Sequence, residues 1–386
     1  MAWKVPFVNY PLQFRKMESG IMETIRTVLS RGDVMLRQQL ADFEQHLAAF
    51  VGTAYAVGTS NCTDALHLTL RAAGVGVGDE VITVSHTFVA TAAAIHHTGA
   101  TPVLIDIAND HNLDVELLEQ AITPRTKAIL PVHLNGRVCA MDRVMELAER
   151  HRLLVVEDAA QALGGSYRSV KGGNFGLAGC FSFYPAKLLG AYGDAGAVVT
   201  NSREIWEKVR SLRDHGRTAT GDIAGWSFNC RMDNLHAALL DLKLKMLPAW
   251  IDRRREIASI YHVHLSDLPE LLLPPPPTPG GPWFDVYQNY EVEAEQRDSL
   301  VDHLREKEVE IMIPWGGRGV HQFAALGLTH FRLPRTEQMF ERALLLPMHT
   351  ELENWQVEYV AETVRGFYHR SRRSLPRFSV PVADHS

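Results

Sequence analysis

Short apolar runs and amphipathic stretches alternate along most of the chain. The apolar runs have the length of buried strands and lie at residues 54–58, 80–84, 101–107, 127–133, 153–157, 180–184 and 196–200. Helical patterns lie between and around them, at residues 40–51, 114–121, 141–151 and 234–247, with another that begins after Asn61. Strands that alternate with helices form a mainly parallel sheet with helices on both faces. The pattern therefore predicts an α/β fold.

The two ends of the chain carry weaker patterns. Residues 1–37 predict an arm followed by a short helix, because Pro6 and Pro11 discourage regular structure near the start. After Arg370 the sequence has little apolar surface to bury, so we expect this tail to be mobile.

The length of the chain predicts two domains. Its 386 residues exceed what a single core comfortably holds, so two domains that share a cleft are expected. The helical stretch at 234–247 would carry the chain out of the first of them. We predict a large domain over residues 1–245, including the N-terminal arm, and a smaller α+β domain over residues 246–386.

Composition narrows the class of protein. The apolar content of 46% and charged content of 22% are ordinary for a globular protein, and the net charge of −6 argues against a general nucleic-acid binder. No apolar run reaches the length of a membrane span, and no signal peptide is expected. The four cysteines show no CxxC spacing and predict separate, reduced thiols in a cytoplasmic enzyme: Cys62, Cys139, Cys180 and Cys230.

The stretch from 153 to 200 carries the candidate chemistry. An apolar run ends in Asp158, and a carboxylate at the carboxyl end of a buried strand points into the crevice where open α/β sheets bind ligands. Lys187 lies among apolar and small residues. Alone it would be read as a surface lysine on a loop; the alternative is a desolvated amine that can form a Schiff base. The helix that begins after Asn61 offers free N–H groups to a phosphate, as any strand-to-helix joint does.

Several motifs in this region, taken in order, resemble one enzyme family. EDAAQA, FSFYPAK and GAYGDAGAVVT are similar to the pyridoxal-phosphate (PLP) sugar aminotransferases of the DegT/DnrJ/EryC1/StrS family. The resemblance covers residues 42–255 and returns more weakly at LPRTEQMFERALLLPMH. It implies the fold of the fold-type-I PLP-dependent transferases. That fold has a large domain with a mainly parallel mixed sheet flanked by helices, and a smaller C-terminal α+β domain.

The resemblance assigns four residues to the reactive end of the cofactor. Lys187 would hold PLP and move a proton, and Asp158 would pair with the pyridinium nitrogen. Gln161, one helical turn beyond Asp158, would bind the phenolic oxygen of the ring. Phe88 would stack on the ring. Without the resemblance, Asp158 could equally make a structural hydrogen bond, and Phe88 would more often be a core residue.

The same resemblance implies a phosphate site and a dimer. Ser182 and the backbone amides of Cys62 and Thr63 would bind the phosphate, with the Thr63 hydroxyl as a further donor. Family members usually have Gly or Ser where Cys62 stands, but the backbone N–H is unchanged. Asn229 matches a position that reaches the phosphate across a subunit interface, although alone it would be an ordinary loop residue. The implied active unit is a homodimer with two composite sites.

Metal chemistry is not expected from the sequence. His86, His96 and His97 have no further ligand residues at a useful spacing, so we interpret them as structural or solvent-facing.

The resemblance also implies the reaction. An amino group, expected to come from L-glutamate, would be transferred to a nucleotide-linked keto sugar in two half-reactions. GAYGDAGAVV is similar to members that aminate C3 rather than C4, and Lys187 stands where related dehydrating enzymes have His. Three alternatives stay open: amination at C4, amination of a cyclitol or of a keto sugar without a nucleotide, and a PLP-holding regulatory or binding protein without turnover.

Overall fold

The computed structural model describes residues 3–374, and the side chains of residues 3–370. We predict a mobile tail after Arg370, but the backbone of residues 371–374 continues the last helix, and residues 375–386 lie outside the described part. The strands are β1 Tyr55–Thr59, β2 Glu80–Val84, β3 Thr101–Ile105, β4 Thr126–Ile129, β5 Leu154–Asp158, β6 Ser166–Tyr167, β7 Val170–Lys171, β8 Ala178–Ser182, β9 Gly196–Thr200, β10 Leu271–Leu272, β11 Trp283–Phe284, β12 Tyr290–Ala294 and β13 Ala343–Leu346. The helices are α1 Tyr10–Arg31, α2 Gln38–Val51, α3 Cys62–Ala72, α4 Val89–His97, α5 Val115–Leu118, α6 Met141–His151, α7 Arg203–Arg213, α8 Asn234–Leu244, α9 Leu247–Leu265, α10 Arg297–Glu306, α11 Pro334–Arg342 and α12 Asn354–Ser374.

A seven-stranded sheet forms the centre of the first part of the chain, in the order β1-β9-β8-β5-β4-β2-β3. β9 runs antiparallel to both of its neighbours, and the other pairs are parallel. Alternate residues of a strand enter different cores: Val198 joins the cluster with α3 and α6, whereas Ala197 and Val199 join the cluster with α2 and α8. Helices therefore cover both faces, which confirms the predicted mainly parallel α/β sheet.

A second sheet lies in the later part of the chain. β12 pairs antiparallel with β10 and with β13, and these strands share an apolar core with α9, α10 and α12. The N-terminal arm reaches this core: Val5 is buried in it, its N–H donates to Glu308 O at 3.2 Å, and its carbonyl accepts from Glu310 N at 2.9 Å. β11, β6 and β7 form a third, small antiparallel sheet. Within the described residues, no helix has both the length and the apolar character that crossing a membrane requires.

The prediction of a short helix in residues 1–37 is wrong. α1 has 22 residues, with Pro11 in its first turn, where the missing N–H costs no intrahelical hydrogen bond. The Asn9 side chain caps it by accepting from Leu12 N at 3.1 Å, and Gly32 ends it in the left-handed conformation. The helix predicted at 234–247 is also interrupted, since α8 ends at Leu244 and α9 begins at Leu247.

Candidate active site

One cavity of about 560 Å³ collects most of the residues that the sequence singled out. Its wall includes Cys62, Thr63, Phe88, Asp158, Gln161, Ser182 and Lys187. The arm, through Tyr10 and its neighbours, and the second sheet, through Glu291, complete the wall. Among the described residues that line this cavity, Asn229 is missing. It is exposed, and its backbone forms an isolated antiparallel β-bridge with that of Asp214.

The first turn of α3 supplies the candidate anion site. Asn61 caps the helix by accepting from Asp64 N at 2.8 Å, and the first N–H groups of a helix have no intrahelical acceptor. A Cβ at Gly196 would lie 2.6 Å from Cys62 N, so only glycine in β9 lets the strand approach the helix this closely. These amides and the Ser182 hydroxyl, which accepts from Tyr184 N at 3.3 Å, suit a phosphate.

Asp158 is a buried carboxylate at the end of β5. Thr91 Oγ1 donates to its Oδ2 at 2.7 Å, and Ala160 N donates to its Oδ1 at 3.2 Å. Burial raises the pKa of Asp158 despite these hydrogen bonds and the nearby charge of Lys187. Within residues 3–374 it has no ion-pair partner at bonding distance. A protonated ring nitrogen would supply the missing cation, so this group fits PLP.

Lys187 follows the strand β8 on a tight turn, where its N–H donates to Tyr184 O at 2.8 Å. Its side chain is partly accessible because it faces the open cavity. The surrounding protein nevertheless desolvates Nζ and lowers the pKa of Lys187, an effect that Asp158 partly offsets. A lowered pKa favours the neutral amine, which is the nucleophilic form.

Gln161 and Phe88 stand on two sides of the same cavity. Gln161 Oε1 accepts from Asn135 N at 2.8 Å and from Asn289 Nδ2 at 3.2 Å, which leaves its NH₂ group free to donate to a ligand. Phe88 is 57% exposed at the start of α4, so the alternative interpretation of Phe88 as a core residue is wrong.

Glu157, next to Asp158, has a structural role. It is fully buried, and it accepts from His133 Nε2 at 2.8 Å and from Gly173 N at 2.7 Å. Phe175 N and Gly176 N also donate to it, each at 2.8 Å. Glu157 therefore fixes the glycine-rich loop before β8, while its neighbour Asp158 faces the cavity.

The prediction that His86 has no ligand partners is wrong, because the fold brings them from distant positions. His86, His111 and Glu291 are all buried and close enough together to hold a metal ion. However, His111 Nδ1 lies 2.7 Å from Glu291 Oε1, and its Nε2 lies 2.8 Å from Glu293 Oε1, so both ring nitrogens already face carboxylates. Burial alone would lower the pKa of His111, but these hydrogen bonds outweigh it and raise the pKa to about 9. The arrangement is an ion network between the first and second sheets.

The predictions for the other two histidines and for the cysteines agree with the structure. His96 and His97 are exposed, as expected of solvent-facing side chains. All four cysteines are free and buried. Asn135, Gln288, Asn289 and Glu291 also line the cavity, and the sequence analysis missed them.

Comparisons with known proteins agree along almost the whole chain. The DegT/DnrJ/EryC1/StrS aminotransferase family model matches residues 15–365. A dTDP-3-amino-3,4,6-trideoxy-alpha-D-glucose transaminase of Streptomyces venezuelae is 39% identical, over 95% of this chain and 97% of the relative. A protein of Geobacillus stearothermophilus named pleiotropic regulatory protein is 37% identical, over 94% of this chain and 98% of the relative.

Solved structures support the same relationship. S. venezuelae DesV, in complex with a ketimine intermediate, has a TM-score of 0.90 and 39% identity over 94% of this chain and 98% of its own. Bacillus subtilis NtdA, with the bound cofactor PMP, has a TM-score of 0.84 and 27% identity over 93% of this chain and 82% of its own. The cavity described above has the donors that such a cofactor needs. The chain therefore belongs to the DegT/DnrJ/EryC1/StrS aminotransferase family and has the fold of its PLP-dependent sugar aminotransferases.

Proposed function

We propose that this aminotransferase uses PLP to move an amino group from L-glutamate onto C3 of a nucleotide-linked keto sugar. One observation supports the proposal: a single cavity is lined by Lys187, whose pKa is lowered by desolvation, by the buried carboxylate Asp158 and by the first residues of α3, the candidate anion site. PLP requires a lysine, a carboxylate and a phosphate-binding site as its partners. The names of the relatives, among them a dTDP-3-amino sugar transaminase, support the substrate class.

Each residue has a distinct part in the proposed reaction. PLP, when bound, would supply the electron sink for proton removal at the carbon that bears the amino group. Asp158 would keep the ring nitrogen protonated, and the Gln161 NH₂ group would donate to the phenolic oxygen. Ser182 and the first amides of α3 would bind the phosphate, and Phe88 would lie against the ring. Lys187 Nζ would hold the cofactor and, once released as a free amine, would take up the proton that leaves the substrate carbon.

The main alternative class is a regulatory protein that holds PLP without turnover, and one relative does carry a regulatory name. The absorbance spectrum of the purified protein separates the two classes. An aminotransferase loses the absorbance of its lysine-bound cofactor when glutamate is added and regains it when a keto sugar follows. A binding protein would show the initial absorbance and no change with glutamate.

We also propose a homodimer with composite sites. Asn229 is exposed and lies outside the cavity of its own chain, as a residue that serves a neighbour would. Large apolar side chains on the same molecule are exposed as well, including Leu29 on α1 at 55% and Trp226, which is fully exposed three residues before Asn229. Such surfaces are typical of contacts between copies.

Subunit complementation tests the dimer. A mixed dimer of Lys187→Ala and Asn229→Ala chains would contain one site with both lesions and one site with neither. Mixing the two variants under exchange conditions should give more activity than the sum of the separate samples. Asn229→Ala alone should weaken PLP retention about 10- to 150-fold, since it removes one charged hydrogen bond of about 1.5–3 kcal/mol. If exchange is demonstrated and no activity returns, Asn229 does not serve the partner.

The division into residues 1–245 and 246–386 is part of the proposal. It is supported by the separate apolar core of the second sheet, although Val5 of the arm joins that core. Native-state hydrogen exchange should group the amides of β12 and β13 apart from those of β2 and β5. A single exchange group would contradict the division. The cytoplasmic location stays a prediction from the cysteine pattern.

A further inference from the structure

The Gln288 side chain holds the backbone on both sides of Lys187. Its Oε1 accepts from Leu188 N at 2.7 Å, and its Nε2 donates to Ala186 O at 2.9 Å. Gln288 is buried, at 7% exposure, so these two bonds form away from bulk water. One planar amide thus fixes the peptide groups that precede and follow Lys187, and with them the direction in which its side chain leaves the backbone.

The next residue, Asn289, holds the second group that faces the cofactor. Asn289 Nδ2 donates to Gln161 Oε1 at 3.2 Å and to Asn135 Oδ1 at 2.9 Å. Asn135 N donates to the same Gln161 oxygen at 2.8 Å. Two donors on Oε1 determine which way the Gln161 amide points, because the flipped amide would place NH₂ against N–H groups. The orientation that remains leaves the NH₂ group of Gln161, a residue that lines the cavity, available to donate to a ligand.

The backbone of Gln288 and its neighbour Tyr287 is itself held by α9 and by Gly136. Arg254, buried on α9, donates through Nη1 to the carbonyl oxygens of Tyr287 and Gln288, both at 2.9 Å. Gly136 packs against the same segment so closely that a Cβ there would lie 2.6 Å from Tyr287 N. The side chains of Gln288 and Asn289 therefore extend from a rigid backbone that leads directly into β12.

We propose that Gln288 and Asn289 are a pair of positioning residues, the first for Lys187 and the second for Gln161. This inference rests on the proposed function. Neither residue has to touch the reacting atoms, since each acts through the group that it holds. The pair also makes the cofactor site depend on the second sheet, because its two anchors lie on the segment that opens β12.

The test uses Gln288→Met, which keeps the length of the side chain and removes both hydrogen bonds. The matched control is Gln356→Met, because Gln356 also accepts from a backbone N–H, that of Glu353 at 3.0 Å, and donates to a backbone carbonyl, that of Lys4 at 3.1 Å. Both variants lose one accepted and one donated hydrogen bond to the backbone. The hydrogen bonds of Gln356 are solvent-exposed, and Gln356 is not among the described residues that line the cavity. PLP is added to the cofactor-free proteins, and the absorbance and the borohydride-trapped mass on Lys187 are measured.

We expect Gln288→Met to retain PLP about 10- to 100-fold more weakly than wild type, because Leu188 N and Ala186 O are left buried without partners. Gln356→Met should stay within about two-fold of wild type, since exposed groups rebind water. Asn289→Leu should still trap PLP on Lys187 but shift the pH midpoint of the cofactor absorbance by about 0.5 unit or more, because the Gln161 amide is then held by Asn135 N alone. A role in packing alone would not move that midpoint.

The measurements on these variants either support or contradict the positioning role of Gln288 and Asn289. The inference is wrong if folded Gln288→Met takes up PLP like wild type, or if Asn289→Leu leaves the absorbance midpoint in place. If Gln288→Met does not fold, Gln288→Glu replaces it: that side chain keeps an acceptor for Leu188 N, loses the donor to Ala186 O and adds a carboxylate oxygen beside that carbonyl. It should also retain PLP at least about 10-fold more weakly than wild type, and wild-type retention would again overturn the inference. A wild-type protein that never traps PLP on Lys187 would instead refute the proposed function.

Discussion

Removing His111 should destabilise the protein strongly and in a pH-dependent way. The ring lies between Glu291 and Glu293 of β12, at 2.7 and 2.8 Å, and is 7% exposed. Its pKa rises from 6.5 to about 9, and each unit corresponds to 1.36 kcal/mol, so protonated His111 contributes about 3 kcal/mol. Loss of one partner from a buried ion pair typically costs 3–5 kcal/mol. The lower end applies here, because Glu293 keeps its ion pair with Arg335.

The assay is urea unfolding of wild type and His111→Gln between pH 6 and pH 10. Because the folded pKa of His111 lies above the unfolded value, its contribution is complete below about pH 6.5 and disappears as the pH rises through about 9. The difference in the free energy of unfolding should therefore be about 3 kcal/mol at pH 6 and close to zero at pH 10. His96→Gln, at an exposed position, is the control and should change stability by less than about 0.5 kcal/mol.

Two results would refute this reasoning. A difference that stays constant from pH 6 to pH 10 would mean that His111 acts through packing rather than charge. A difference below about 1 kcal/mol at pH 6 would mean that the network between the two sheets gives no net stabilisation, as some buried ion pairs do.

Three further changes test the active site. Lys187→Ala should fold normally but lose the absorbance of lysine-bound cofactor and all turnover, and near wild-type turnover would remove Lys187 from the mechanism. Asp158→Asn keeps the shape of the side chain and removes its charge, so the rate at saturating PLP should fall roughly 100-fold or more; an unchanged rate would argue against its role at the ring nitrogen. Gly196→Ala would place a Cβ 2.3 Å from the carbonyl carbon of Asn61, so the start of α3 must move; PLP retention should weaken and stability fall by about 1–3 kcal/mol, measured by cofactor titration and urea unfolding.

Local patterns were enough to locate much of the first sheet and its site. The predicted strands at 80–84 and 196–200 and the predicted helix at 141–151 coincide with β2, β9 and α6. Asp158 was found because it stands at the end of an apolar strand, where open α/β sheets bind ligands. Lys187, which follows β8 by five residues, was found from its apolar and small neighbours and from the family resemblance. The length of α1 was missed because Pro11 was interpreted as a residue that prevents helix formation. In the first turn of a helix, however, proline is tolerated.

Contacts between residues far apart in the sequence could not be predicted from local sequence patterns. His86 and His111 meet Glu291 only because β12 packs beside the end of the first sheet, and His111 and Glu291 are 180 positions apart. Gln288 reaches Leu188 across 100 positions. No periodicity connects such pairs, since their approach depends on how the second sheet packs against the first.

Transfer of nitrogen from glutamate tests the central claim most directly. The wild-type protein with bound PLP is incubated with ¹⁵N-labelled L-glutamate and a panel of nucleotide-linked keto sugars, with Lys187→Ala as the control, and the products are analysed by mass spectrometry. Our account predicts a ¹⁵N-labelled amino sugar from a 3-keto substrate, none from Lys187→Ala, and less or none from 4-keto substrates. Label only in the 4-amino sugar formed from a 4-keto substrate would contradict the assignment to C3, and a wild-type protein that loads PLP yet labels no sugar would contradict the proposed function.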